Sequence, residues 1–118
     1  HSKTGIFPIM HTVVIRRDIY EQNPWVSVSL YKAFTAAKDR VYADLYEMAA
    51  LKTMLPWQVA HVADVRRRLG DDWWPYGLET NRHVLETFLR YHHAQGLSQR
   101  LLTPDELFAP ETLEAFKI

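Results

Sequence analysis

His11 stands at the entrance of an apolar, β-branched run, Thr12-Val13-Val14-Ile15, which exits through Arg16-Arg17-Asp18. Imidazole titrates near neutrality, so a histidine where a loop enters a strand is placed to pass a proton into a cleft or to bind a carboxylate. The competing reading is a ring hydrogen-bonded to nearby backbone. Arg16 or Arg17 carries the guanidinium fork that grips a carboxylate through two parallel hydrogen bonds, against the plainer reading of a solvated strand end. Asp71-Asp72 beside Trp73-Trp74 sets carboxylates next to stacking surfaces. A capped connection whose indoles plug a gap between helices is the stronger expectation there, and Tyr76-Gly77 poses the same choice.

His92-His93, with His83 nearby, invites a metal reading that helical geometry weakens. Adjacent helical residues diverge by about 100° around the axis. His83 and His92 also miss the three- and four-residue steps that place side chains on one face. Solvated helix surface is the better account. The trio Arg66-Arg67-Arg68 suits the negative end of a helix dipole. The sequence holds no glycine-rich phosphate loop, no nucleophile elbow and no HExxH. A complete catalytic set cannot be assembled from these residues alone.

The elements that would position these groups are mostly helical. Residues 11–16 are expected as a strand, because three consecutive apolar residues suit burial on both faces. Asp18 to Tyr20 is expected as a short helical turn or loop. Asn23-Pro24 offers a cap followed by proline at a helix start. A long helix over 24–54 is predicted from Trp25, Val28, Leu30, Phe34, Val41, Leu45 and Met48 at three- and four-residue steps, with no glycine or proline inside.

Pro56 restarts the pattern as a helix over 56–69, with Trp57, Val59 or Ala60, Val62 and Val65 inward and Gly70 as its stop. A third helix is expected over 79–95, with Val84, Leu85, Phe88, Leu89 and Tyr91 inward and Gly96 ending it. Thr103-Pro104-Asp105-Glu106 has the capping-box form and opens a short helix over 104–108; another short one is expected over 110–115. The expected fold class of this piece is thus mainly α: one N-terminal strand, three substantial helices and two short ones.

At 118 residues with 47% hydrophobic side chains, the chain fits one domain or part of one and is too apolar for global disorder. Fourteen basic residues balance fourteen acidic ones, so no net field favours nucleic acid. The absence of cysteine excludes disulfides and thiolate metal sites. No apolar run approaches the ~20 residues that cross a bilayer. The chain does not open on Met, His1-Ser2 is set aside as a non-native leader, and a lone strand needs a partner. These features are those expected of a piece of a longer protein.

Several stretches together resemble the C-terminal part of the 4,5-dihydroxyphthalate decarboxylase family, many of whose relatives are labelled substrate-binding proteins of ABC transporters. They are Gly5-Ile6-Phe7-Pro8-Ile9-Met10-His11-Thr12-Val13-Val14-Ile15-Arg16-Arg17-Asp18, Asn23-Pro24-Trp25, Leu30-Tyr31-Lys32-Ala33-Phe34 and Met54-Leu55-Pro56-Trp57. Gly70-Asp71-Asp72-Trp73-Trp74-Pro75-Tyr76-Gly77-Leu78-Glu79 and Leu102-Thr103-Pro104-Asp105-Glu106-Leu107-Phe108-Ala109-Pro110-Glu111 complete the likeness. It runs nearly end to end, and its specificity is collective.

The resemblance implies a type II periplasmic-binding-protein-like α/β fold, in which two lobes joined by crossing strands close on a small ligand. The 118 residues would be one C-terminal fragment of it, the partners being the missing N-terminal lobe and a small aromatic dicarboxylate. Homo-oligomers are a further expectation; a membrane span is not. The implied reaction is lyase chemistry, turning 4,5-dihydroxyphthalate into protocatechuate and carbon dioxide without a cofactor or metal, with the fragment inactive by itself. Within that reading His11 is the catalytic candidate, and Met10, Thr12 and Arg16 are substrate-binding candidates. The expected compartment is the cytoplasm. The alternative is a periplasmic solute-binding protein that captures a small organic acid; excised helices acting as an interaction module form a weaker third reading.

Overall fold

The computed structural model describes residues 1–113. Among them are four α-helices and two short 3₁₀ helices, in the order α1 (Arg17–Gln22), α2 (Trp25–Tyr46), α3 (Gln58–Leu69), α4 (Leu78–Ala94), then Pro104–Glu106 and Pro110–Thr112. The mainly helical class is shown. The strand expected over 11–16 is absent, and no strand occurs among the described residues. A ladder needs a second strand, and the chain contains only one such run. Its side chains point outward accordingly, Val13 at 62% and Val14 at 85% exposure.

The chain divides into two compact units, one formed by His1–Leu30 with the residues from Tyr76 onward, the other by Tyr31–Pro75. In the first, Leu78, Leu85 and Leu89 lie on one face of α4 at helical spacing and, with Pro104, are the buried apolar residues of the described chain. Each leucine contributes about 2 kcal/mol through burial. Phe88 and Tyr91, expected inward, are exposed. Leu85 and Leu89 already occupy the buried stripe, and both aromatics fall off it.

Gly96, at φ +75°, ends α4 by a paired return: its N–H reaches the His93 carbonyl at 2.9 Å and the Leu97 N–H reaches His92 at 3.0 Å. Glycine tolerates this left-handed backbone, as the sequence foretold. The Pro104–Glu106 helix packs on α4 and is fastened there by Arg82. That guanidinium donates to both Asp105 oxygens at 2.7 and 2.9 Å and to Glu79 at 2.5 Å. The capping box forms from its acidic side: Glu106 Oε2 accepts from the Thr103 N–H at 2.7 Å and from its hydroxyl at 3.0 Å. Tyr20 ties α1 to the last described turn through a 2.7 Å hydrogen bond to Glu111.

Element bounds differ from the sequence reading in identifiable ways. Arg17–Gln22 is a full short helix, and the Asn23 amide donates back to the Ile19 carbonyl at 3.3 Å rather than capping α2. The helix expected over 24–54 stops at Tyr46. Glu47 Oε1 takes the Ala49 N–H at 2.8 Å, removing that donor from the ladder. Gln58 then bonds Thr53 and, at 3.5 Å, the Leu45 carbonyl. Trp57, expected inward, precedes α3 in the left-handed region at φ 57° and is 80% exposed. That conformation costs a non-glycine residue about 1 kcal/mol. The helix expected over 104–108 is a single 3₁₀ turn; of the one expected over 110–115, residues 110–112 are helical, and 114 and 115 lie outside the described residues.

Leu85→Ala is expected to lower stability by about 3 kcal/mol in urea unfolding followed by helical circular dichroism. Val14→Ser, on an exposed side chain, is expected to change it by less than about 0.5 kcal/mol.

Candidate functional site

Met10, His11 and Thr12 lie on the irregular segment between Gly5 and α1, all three exposed. The segment leaves a turn in which the Thr4 and Gly5 N–H groups donate to the His1 carbonyl at 3.0 and 2.7 Å. His83 on α4 holds its start, its Nε2–H donating to the Thr4 carbonyl at 3.1 Å, so the Nε2–H tautomer is required there. Arg16 closes the other end. Its guanidinium is engaged by Asp18, Nε to Oδ1 at 3.0 Å and Nη2 to Oδ2 at 2.5 Å. No hydrogen bond or ion pair joins His11 to Met10, Thr12 or Arg16 among the described residues. The segment therefore presents an imidazole to solvent, with a guanidinium a few residues on whose donors face an acidic side chain of the same chain.

The remaining histidines do not converge. His93 Nδ1 contacts the Ser98 carbonyl at 3.2 Å, while His92 Nδ1 is buried beside Phe88 and lacks a partner among the described residues. No group of three or more histidine, aspartate or glutamate side chains among the described residues has the arrangement to hold a metal ion. No described helix is long and apolar enough to cross a membrane.

The densest polar constellation lies in the Tyr31–Pro75 unit, around Tyr42. Lys38, Tyr42 and Tyr46 recur every four residues on α2 and so share a face. Lys38 Nζ donates to Asp72 Oδ1 at 2.8 Å, and the Tyr42 hydroxyl donates to the same oxygen at 3.1 Å. That hydroxyl in turn accepts the Trp74 N–H at 2.9 Å. The Tyr42 ring stacks on Trp73 with centroids 4.4 Å apart, and Tyr46 meets the same indole edge-on at 6.0 Å. Arg66 lies 4.9 Å over the Tyr46 ring and pairs with Asp71 at 2.7 Å.

Asp72 and Trp73 thus fasten the connection to α2, while the Trp74 side chain is exposed rather than plugging a gap between helices. Sequence reasoning missed the anchor on α2, although the four-residue spacing of Lys38, Tyr42 and Tyr46 was the signal for it. Burial, then the hydrogen bond to Asp72 and its negative charge, push the Tyr42 phenol up to about 12, while the Trp74 N–H opposes the shift. A phenol that holds its proton so firmly is a poor acid at neutral pH, so this cluster organises backbone rather than moving protons.

No protein-family model matches the chain. Over all its residues the chain is 42% identical to a 4,5-dihydroxyphthalate decarboxylase from Comamonas testosteroni. This is the family to which the sequence motifs point, and the likeness covers the chain from end to end. The chain spans 36% of that protein's length.

Raising a tyrosine's pKa on folding means the folded state holds its proton more tightly, so the stabilisation is complete below pH 10 and fades as pH climbs towards 12. In a titration of phenolate absorbance the last tyrosine to ionise is expected to vanish in Tyr42→Phe. The same variant is expected to lose about 1 kcal/mol at pH 7 in urea unfolding, since it removes the acceptor of the Trp74 N–H and the donor to Asp72.

Proposed function

We propose that the chain is part of an aromatic acid decarboxylase that converts 4,5-dihydroxyphthalate to protocatechuate and carbon dioxide. The observation that carries this reading is the 42% identity, over the whole chain, to a 4,5-dihydroxyphthalate decarboxylase. The finer fold assigned with it is a type II periplasmic-binding-protein-like α/β clamp, of which these residues supply one C-terminal piece.

The chemistry needs little machinery. Each carboxylate of the substrate stands para to a hydroxyl, which feeds electrons into the ring. A proton delivered to the carbon bearing one carboxylate disrupts aromaticity. The bond to that carboxylate then breaks, its electron pair returns to the ring, and carbon dioxide departs. The protein must bring one proton, hold the second carboxylate and exclude water.

His11 is assigned as the proton donor, and its exposure without an internal partner leaves it available to a ligand. Met10 and Thr12 flank it and would form the pocket wall. Arg16 would hold the carboxylate that is retained, taking the substrate in place of Asp18. Dicarboxylate binding and cytoplasmic residence belong to the same reading, and none of its steps calls for a cofactor.

Carbon dioxide release from 4,5-dihydroxyphthalate by the longer polypeptide that contains this chain is the direct test. Binding without release would instead fit a solute-binding protein. In that polypeptide His11→Ala is expected to lower kcat about 100-fold or more. Unchanged turnover and affinity would remove His11 from the mechanism.

A further inference from the structure

The segment joining α2 to α3, residues 47–57, carries Met48, Leu51, Met54, Leu55 and Trp57, and every one of these side chains is exposed. Met54 is 103% exposed and Trp57 80%. Across 48–57 the only charged side chain is Lys52. Isolated apolar residues on a surface are ordinary, but a run of them in one loop marks a contact surface. The composition is that of an interface centre, where tryptophan and methionine are enriched and charges are depleted.

The loop is also anchored. Gln58 is buried at its base, bonded to Thr53 and to the Leu45 carbonyl. The left-handed backbone at Trp57 turns the indole away from the helices on either side.

Within Tyr31–Pro75 no apolar side chain is buried among the described residues, so this unit has no interior of its own for the loop to enter. The occupant has to come from elsewhere. The curated relative is 42% identical over this chain, yet nearly two thirds of its length lies outside the match. Covalently attached chain is held at high effective concentration and binds ahead of a second copy.

We propose that residues 47–57 are an intramolecular docking surface, on which the remainder of the longer polypeptide seats an apolar face. This rests on the reading that the chain is part of a longer protein, and not on the reaction it catalyses.

Hydrogen peroxide oxidation read by peptide mass spectrometry tests it. In the longer polypeptide Met48 and Met54 are expected to oxidise at least tenfold more slowly than free methionine, at concentrations where light scattering reports a monomer. Equal rates would overturn the proposal, as would protection that appears only with concentration-dependent self-association, which would assign the surface to a second copy. The double variant Met54→Ser/Trp57→Ser is expected to lower the Tm of the longer polypeptide. If that variant fails to fold, the oxidation rates of the unsubstituted protein still decide. Carbon dioxide release is measured separately, so protection without turnover would keep the docking surface and remove the decarboxylase.

Discussion

Apolar burial is the constraint around which this molecule is organised, and it is in short supply. Nearly half of the side chains are hydrophobic, yet Leu78, Leu85, Leu89 and Pro104 are the apolar residues that the described chain buries. The three leucines sit on α4, so that helix is the body against which the first unit assembles. The Arg82 fork, the Pro104–Glu106 turn and the His83 contact to Thr4 all radiate from it. Exposed ion pairs of this kind are individually weak, so they fix geometry around the three leucines more than they supply stability.

The Tyr31–Pro75 unit solves the same shortage differently. With no buried apolar side chain, it relies on a hydroxyl that serves as acceptor for one backbone amide and donor to one carboxylate. Lys38, whose side chain is only 11% exposed, neutralises that carboxylate, and Trp73 covers the Tyr42 ring. Successive hydrogen bonds in such a chain polarise one another, and aromatic stacking adds contact where an aliphatic core is missing. The loop 71–75 is held by chemistry of high directionality, which suits a segment that must turn sharply between Gly70 and Gly77.

What the sequence made legible follows from how local each signal is. Gly70 and Gly96 as helix stops, the arginine-rich end of α3 and the Thr103–Glu106 box are decided within one turn, and they were readable. The end of α2 was not. Nothing in residues 47–54 forbids a helix, and the ladder ends through Glu47 and through Gln58, the latter thirteen residues beyond Leu45. The inward faces were misjudged at Trp57, Phe88 and Tyr91 because hydrophobicity alone does not say whether anything waits to cover a side chain. The run over 11–16 shows the same limit: strand propensity was visible, and the partner was not in the chain. His11 was read as a ring at a strand entrance, whereas it is exposed on an irregular segment, and Arg16's engagement by Asp18 depended on a side-chain geometry that spacing does not reveal.

Trp57 has a corollary for how α2 and α3 share the chain between them. Its carbonyl accepts the His61 N–H at 3.0 Å, and the Gln58 N–H reaches Leu55 at 3.2 Å, so its single left-handed residue is the pivot between the turn and the helix. A left-handed residue directly before the helix stops α3 from extending toward its N-terminus and keeps Gln58 within reach of the Leu45 carbonyl near the end of α2.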